Sequence, residues 1–130
     1  MATILAPGKS ATATIKVTNE NTARALGSGG LEVFSTPMMI ALMEQAACNA
    51  LADALEAGQT SVGTKISVEH TAASPVGAQI TATATVVSPD GRMVEFEVTA
   101  KDGAGEIGKG THTRAIVDPR RLLAKANKRL

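Results

Sequence analysis

The sequence predicts an α+β fold, one long apolar helix laid on an antiparallel sheet. Three observations predict it. Residues 37–51, PMMIALMEQAACNAL, are rich in helix formers and carry a single charge, Glu44. Five segments, 10–18, 62–71, 79–87, 93–100 and 106–117, have the apolar/polar alternation of strands. The last four follow one another through short connections, which join neighbouring strands antiparallel. A helix and a sheet that are each apolar on one face make a two-layer domain. The 130 residues are enough for one such domain, expected over 1–130.

Taken in order, SATATIKVT at 10–18 sets Ala11, Ala13, Ile15 and Val17 against Thr12, Thr14, Lys16 and Thr18. NENTARALGSGGL at 19–31 is polar and Gly-rich and reads as a loop. Ser35-Thr36-Pro37 then supplies a hydroxyl N-cap and a proline at the first helical position. The helix is expected to run to Ala57, where Gly58 ends it, a length of about 30 Å. In 62–71, parity puts Val62, Thr64, Ile66, Val68 and His70 on one face and Gly63, Lys65, Ser67 and Glu69 on the other. Ile80, Ala82, Ala84 and Val86 alternate with threonines, and Pro89-Asp90-Gly91 marks a hairpin turn. Val94, Phe96, Val98 and Ala100 face away from Glu95, Glu97 and Thr99, and Asp102-Gly103 opens a second tight connection. The last strand holds Gly108 and Gly110, and from Pro119 a short basic helix follows. A helix apolar on most sides needs more cover than one sheet gives, so a dimer is expected.

Composition narrows the function. Aromatic residues are 2% of the chain, two Phe with no Trp or Tyr, so the stacking platforms of single-strand readers are absent. A net charge of +1 gives no global field for nucleic acid or a membrane surface. One cysteine forms neither an internal disulfide nor a multi-Cys zinc site. With no apolar run of signal-peptide or membrane-span length, a cytoplasmic protein is expected.

Glu44 is the anomaly. On a helical wheel Gln45, Asn49, Asp53 and Glu56 form one polar stripe, and Glu44 lies off it, among Ile40, Ala47, Cys48, Leu51 and Leu55. Burying a carboxylate is costly unless it is paired or protonated, so Glu44 is either a site of chemistry or a structural hydrogen-bond acceptor. His70 shares the strand face that should meet the helix. A Glu44–His70 pair would tune the imidazole for proton transfer; otherwise His70 is a core histidine satisfied by backbone. Thr36, two turns before Glu44, either caps the helix or borders a pocket at its N-terminus, where backbone N–H groups suit a developing oxyanion.

Other positions are weaker candidates. Cys48 is expected to be buried mid-helix and inert. His112 and Arg114 share a strand face with Gly108 and Gly110, where Arg114 either binds an anionic group or is a solvated charge. Arg120, Arg121, Lys125, Lys128 and Arg129 read as a solvated helix face, with phosphate binding as the alternative. Gly27-Ser28-Gly29-Gly30 is too short for a phosphate loop. There is no G-x-S-x-G, Walker or HExxH motif, and two separated histidines make no metal site.

Three segments carry a resemblance: LEVFSTPMMIALMEQAACNAL at 31–51, SVGTKISVEHTAASPVG at 61–77 and DGAGEIGKGTHTRAIV at 102–117. Together they resemble the hotdog fold, a five-stranded antiparallel sheet wrapped around a central helix, and within it the fluoroacetyl-CoA thioesterase-like family. The resemblance implies a catalytic Thr at Thr36, Glu at Glu44 and His at His70. It also implies a glycine lining the thioester site at Gly63 and a ligand-binding arginine at Arg114. It further implies a homodimer, possibly a higher oligomer, with sites at the subunit interface, and an acyl-CoA or related acyl thioester as substrate.

One stretch departs from the family pattern. ENTARALGSGG is short and lacks aromatic residues, where the fluoroacetyl-specific member has a longer segment with an aromatic lid. A different small or medium acyl group is therefore expected. The expected activity is acyl-CoA thioester hydrolysis without metal or organic cofactor. The alternatives are a non-hydrolytic acyl-CoA-binding module or sensor, and a hotdog hydratase or dehydratase.

Overall fold

The computed structural model describes residues 5–130. Its elements run β1 (Ser10–Lys16), α1 (Ala23–Leu26), α2 (Thr36–Leu51), β2 (Thr60–His70), β3 (Gln79–Asp90), β4 (Met93–Asp102), β5 (Gly105–Val117) and α3 (Pro119–Asn127). The strands form one antiparallel sheet in the order β1-β3-β4-β5-β2. The edges are therefore β1 and β2. The long helix α2 packs mainly on β1 and β3, less on β4 and β2, so the β2 side of the helix is the open one.

The core follows the alternation. Ile80, Ala82, Ala84 and Val86 of β3 and Val94, Phe96, Val98 and Ala100 of β4 point under the helix and are buried. Met39, Leu42, Met43, Ala46, Ala47, Ala50 and Leu51 bury the helix side. Both phenylalanines, Phe34 and Phe96, are buried among these small aliphatic residues. No helix among the described residues is long and apolar enough to cross a membrane.

The structure corrects several details. The helix ends at Leu51, not Ala57, and 52–58 return to β2 through turns. Leu51 is its last buried residue; beyond it Ala52 and Asp53 are exposed, with no core to pack against. Asp53 pairs with Lys9, tying this turn to the strand start. The loop at 19–31 contains the short helix α1, which Thr22 caps by accepting the Ala25 N–H. The first hairpin turns at Gly91-Arg92, because Pro89 and Asp90 still pair with Val94 and Met93. The second is held by Asp102, whose carboxylate accepts N–H groups from Ala104 and Gly105 and the Ser74 hydroxyl.

The most consequential correction lies in β2. Gly63 pairs with Arg114 and Lys65 with Thr113, so Thr64 is an extra, bulged residue. A bulge breaks the period of two. Gly63 therefore joins Ile66, Val68 and His70 on the helix side, and not the opposite face that simple parity assigns it.

Candidate active site

At the start of α2, Ser35 is the N-cap and its Oγ accepts the Met38 N–H at 3.3 Å. Thr36 is thus the first helical residue and not the cap, so its hydroxyl is available elsewhere. Its partner is His70, with Thr36 Oγ1 2.8 Å from His70 Nδ1. His70 ends β2, opposite Gly108. Its Nε2 is the buried side-chain polar atom, among the described residues, that has no hydrogen-bond partner. Such an atom is where a ligand group or water completes the bonding. Burial holds the His70 pKa below 6.5, against the opposing pull of the Ala72 backbone. The neutral imidazole borders a hollow of about 260 Å³ with Thr36, Ala23, Ser28, Phe34 and Ala72.

A second cluster lies eight residues along the helix, a rise of about 12 Å. Glu44 Oε2 accepts a hydrogen bond from Arg114 Nη1 at 3.2 Å. Arg114 also donates from Nε to Ser61 Oγ at 3.0 Å and from Nη2 to the Ser61 carbonyl at 3.2 Å. Its Nη1 lies 3.2 Å from His112 Nε2, and His112 Nδ1 lies 2.8 Å from the Lys65 carbonyl. The carboxylate can come this close because residue 63 is glycine. A Cβ there would sit 2.6 Å from Glu44 Oε2 and 3.1 Å from His112 Cε1.

Glu44 is less buried than helical phase suggested: its side chain is 41% exposed in the single chain, facing the open side of the helix. Cys48, one turn on, is likewise exposed and not buried. By contrast Arg114, left open between ligand contact and solvated charge, is buried at 6%, and His112 at 2%. Desolvation lowers the His112 pKa, with the Arg114 charge adding to it and the Lys65 carbonyl and Glu44 opposing.

Glu44 and His70 do not share a cluster in one chain. Gly63, beside Glu44, and His70 are seven residues apart on β2, roughly 20 Å. The hydrogen-bonding partner of Glu44 is Arg114; that of His70 is Thr36. No sequence motif singles out Ser61, and His112 stands out only as a neighbour of Arg114 on one strand face. The signal for both was the register across β2 and β5, which a bulge conceals.

Comparison with known proteins places this chain in a family. The sequence profile of the fluoroacetyl-CoA-specific thioesterases matches residues 17–120. The fluoroacetyl-CoA thioesterase of Streptantibioticus cattleyicolor is 46% identical over 98 residues, 75% of this chain and 70% of that protein. The chain belongs to the fluoroacetyl-CoA-specific thioesterase family. A crystal structure of a mutant of the fluoroacetyl-CoA-specific thioesterase, in complex with fluoroacetate and CoA, is similar at a TM-score of 0.86. It is 40% identical, over 91% of this chain and 99% of that one. A hot-dog-like protein from Thermanaerovibrio acidaminovorans is similar at a TM-score of 0.86 and 28% identity, over 95% and 92% of the two chains. The fold is thus the hotdog fold. All five positions, Thr36, Glu44, Gly63, His70 and Arg114, lie within the part that matches the fluoroacetyl-CoA-specific thioesterase family.

Proposed function

We propose that the protein hydrolyses acyl-CoA thioesters of small or medium acyl groups to free acid and CoA, at a Thr36/Glu44/His70 site built between two subunits. The observation that carries this reading is the Thr36–His70 hydrogen bond, on a histidine that borders a hollow and whose Nε2 is buried without a partner. A pair of this kind takes up and returns a proton in acyl transfer. Membership of a thioesterase family supplies the substrate class.

The missing member of the triad argues for a second copy. One chain has Thr36–His70 at one end of β2 and Glu44–Arg114 near the other, and β2 is a sheet edge. Antiparallel pairing of β2 with β2 of a second copy brings the His70 end of one strand beside the Gly63 end of the other. A homodimer then adds Glu44 of each subunit to the Thr36–His70 pair of the other and covers the open face of α2. Such a two-fold interface is self-complementary and closes on itself.

In the hydrolysis, the Glu44 carboxylate attacks the thioester carbonyl carbon itself or draws a proton from an attacking water. The oxyanion that forms is stabilised by the Thr36 hydroxyl and by backbone N–H groups at the start of α2 and near Gly63. As the tetrahedral adduct collapses, the C–S bond breaks. On the water route the proton that Glu44 drew from water passes through neutral His70 to the departing thiolate. Where an anhydride forms instead, the thiolate leaves as the anion, and His70 relays to it a proton from the water that later cleaves the anhydride. On the anhydride route, water then cleaves the anhydride and restores the carboxylate. The scheme uses no metal or organic cofactor. The acyl group enters a hollow walled by Ala23, Ser28, Ala72 and Phe34, with α1 where a longer aromatic lid would stand.

Thiol release over a panel of acyl-CoAs tests the activity. Subunit mixing tests the site. Glu44→Gln and His70→Ala are each expected to be nearly inactive, yet mixing them in equal amounts restores about a quarter of wild-type activity, through heterodimers with one intact site. No recovery in proven heterodimers would show that each site lies within one chain.

A further inference from the structure

We propose that His112 is a positioning residue, which holds the Arg114 guanidinium, and through it Glu44, in the arrangement hydrolysis needs, and does so only as the neutral Nδ1–H tautomer. The inference rests on the reading of Glu44 given above, but concerns a residue outside the triad.

The hydrogen bonds fix the tautomer. The Lys65 carbonyl can only accept, so His112 Nδ1 carries the hydrogen and donates across 2.8 Å. Nε2 then offers a lone pair, and Arg114 Nη1 donates to it across 3.2 Å. Arginine has five N–H groups in a rigid plane. Nε and Nη2 are tied to Ser61, while the two hydrogens of Nη1 go to Glu44 and His112. Ser61 fixes one side of the guanidinium. His112 is the neutral acceptor that fixes the other, and the direction of the remaining Nη1 hydrogen toward Glu44 follows.

The imidazole is itself enclosed by packing. It is 2% exposed and stacks on Phe96 of β4, with ring centroids 6.2 Å apart at 28°. The charged groups that face it are Glu44 from α2 and Arg114 from β5. From β2 it meets the Lys65 carbonyl, and from β4 an uncharged ring. Protonation at Nε2 would turn a donor toward a donor and set two cations side by side. Arg114 would swing away, and Glu44 would lose the contact that orients it.

Two substitutions and a cycle test this. His112→Leu keeps an apolar neighbour for Phe96 but offers no acceptor, and is expected to lower kcat about 10-fold with KM within about 3-fold of wild type. His112→Gln retains one donor and one acceptor without titrating. It should keep kcat within about 3-fold at pH 8 while the acid limb of the kcat profile becomes less steep by one proton. If His112 acts through Arg114, adding His112→Leu to Arg114→Met costs less than about 2-fold more. Additive losses in the double variant would overturn the inference. So would a folded His112→Leu enzyme with wild-type kcat, or a His112→Gln profile as steep as wild type. Full activity in Glu44→Gln and Arg114→Met would instead remove the site assignment itself, and this inference with it.

Discussion

Thr36 Oγ1 lies 2.8 Å from His70 Nδ1, a contact between the first residue of α2 and the last of β2. It exists because the neighbouring Ser35 takes over capping, which leaves the threonine hydroxyl unused by the helix. Two adjacent hydroxyls thus have separate tasks, and substitution should separate them. Ser35→Ala removes a cap and is expected to destabilise the fold by about 1 kcal/mol. Thr36→Ala should leave stability nearly unchanged but lower kcat by 10-fold to 100-fold, with Thr36→Ser restoring most of it. Chemical denaturation and thiol-release kinetics on the same preparations check both. A Thr36→Ala variant that loses stability rather than turnover would return the residue to a capping role.

Gly63 is the second point of leverage. Its absent Cβ makes room for Glu44 Oε2, which would lie 2.6 Å from it. The carboxylate is the end of a flexible side chain, so it gives way rather than the backbone. Gly63→Ala is therefore expected to fold and to lose hydrolysis by about 10-fold or more through displacement of Glu44. A crystal structure of the variant would show the carboxylate moved. Unchanged kcat would indicate that this position of Glu44 is not the reactive one.

Gly108 stands in a similar slot with the opposite expected outcome. A Cβ there would meet Met39 Sδ at 2.6 Å and the Glu69 carbonyl at 2.7 Å. The methionine can bend but the backbone oxygen cannot. Gly108→Ala is expected to cost about 1–3 kcal/mol, as overpacking of a filled interior does. Denaturant titration measures it.

Acid should weaken both fold and catalysis. An unfolded histidine titrates near 6.5. In the folded chain both His70 and His112 lie below this value, chiefly because burial disfavours the charged ring. Below 6.5 the unfolded chain therefore binds more protons, and stability falls as the pH drops. Above 6.5 both rings are neutral in either state and the full stability is present. Denaturation midpoints at pH 7.5 and 5.5 should differ in that direction, and His112→Gln should narrow the gap. A midpoint higher at pH 5.5 would contradict it. Turnover should decline over the same acid range as the proton-accepting form of His70 is lost.

The two layers and the core positions follow from local sequence. A lone carboxylate in an apolar run makes Glu44 stand out from hydropathy, although its side chain is 41% exposed in the single chain and not buried as helical phase suggests. Strand alternation placed Ile80 to Val86 and Val94 to Ala100 in the core, where they are buried. A spread of threonine, glutamate and histidine along known motifs pointed to the fold and to the chemistry.

Which side chains meet is set by the folded arrangement instead. One bulged residue, Thr64, turns Gly63 onto the helix side, and period-two reasoning fails from that point back along the strand. Choosing between Ser35 and Thr36 as the cap depends on backbone angles that both hydroxyls suit equally in sequence. Pairing Glu44 with Arg114 rather than His70 is a matter of distance along β2, set by the antiparallel register with β5. Local sequence encodes which faces are apolar; the partners of its polar groups depend on long-range register, which no short window contains.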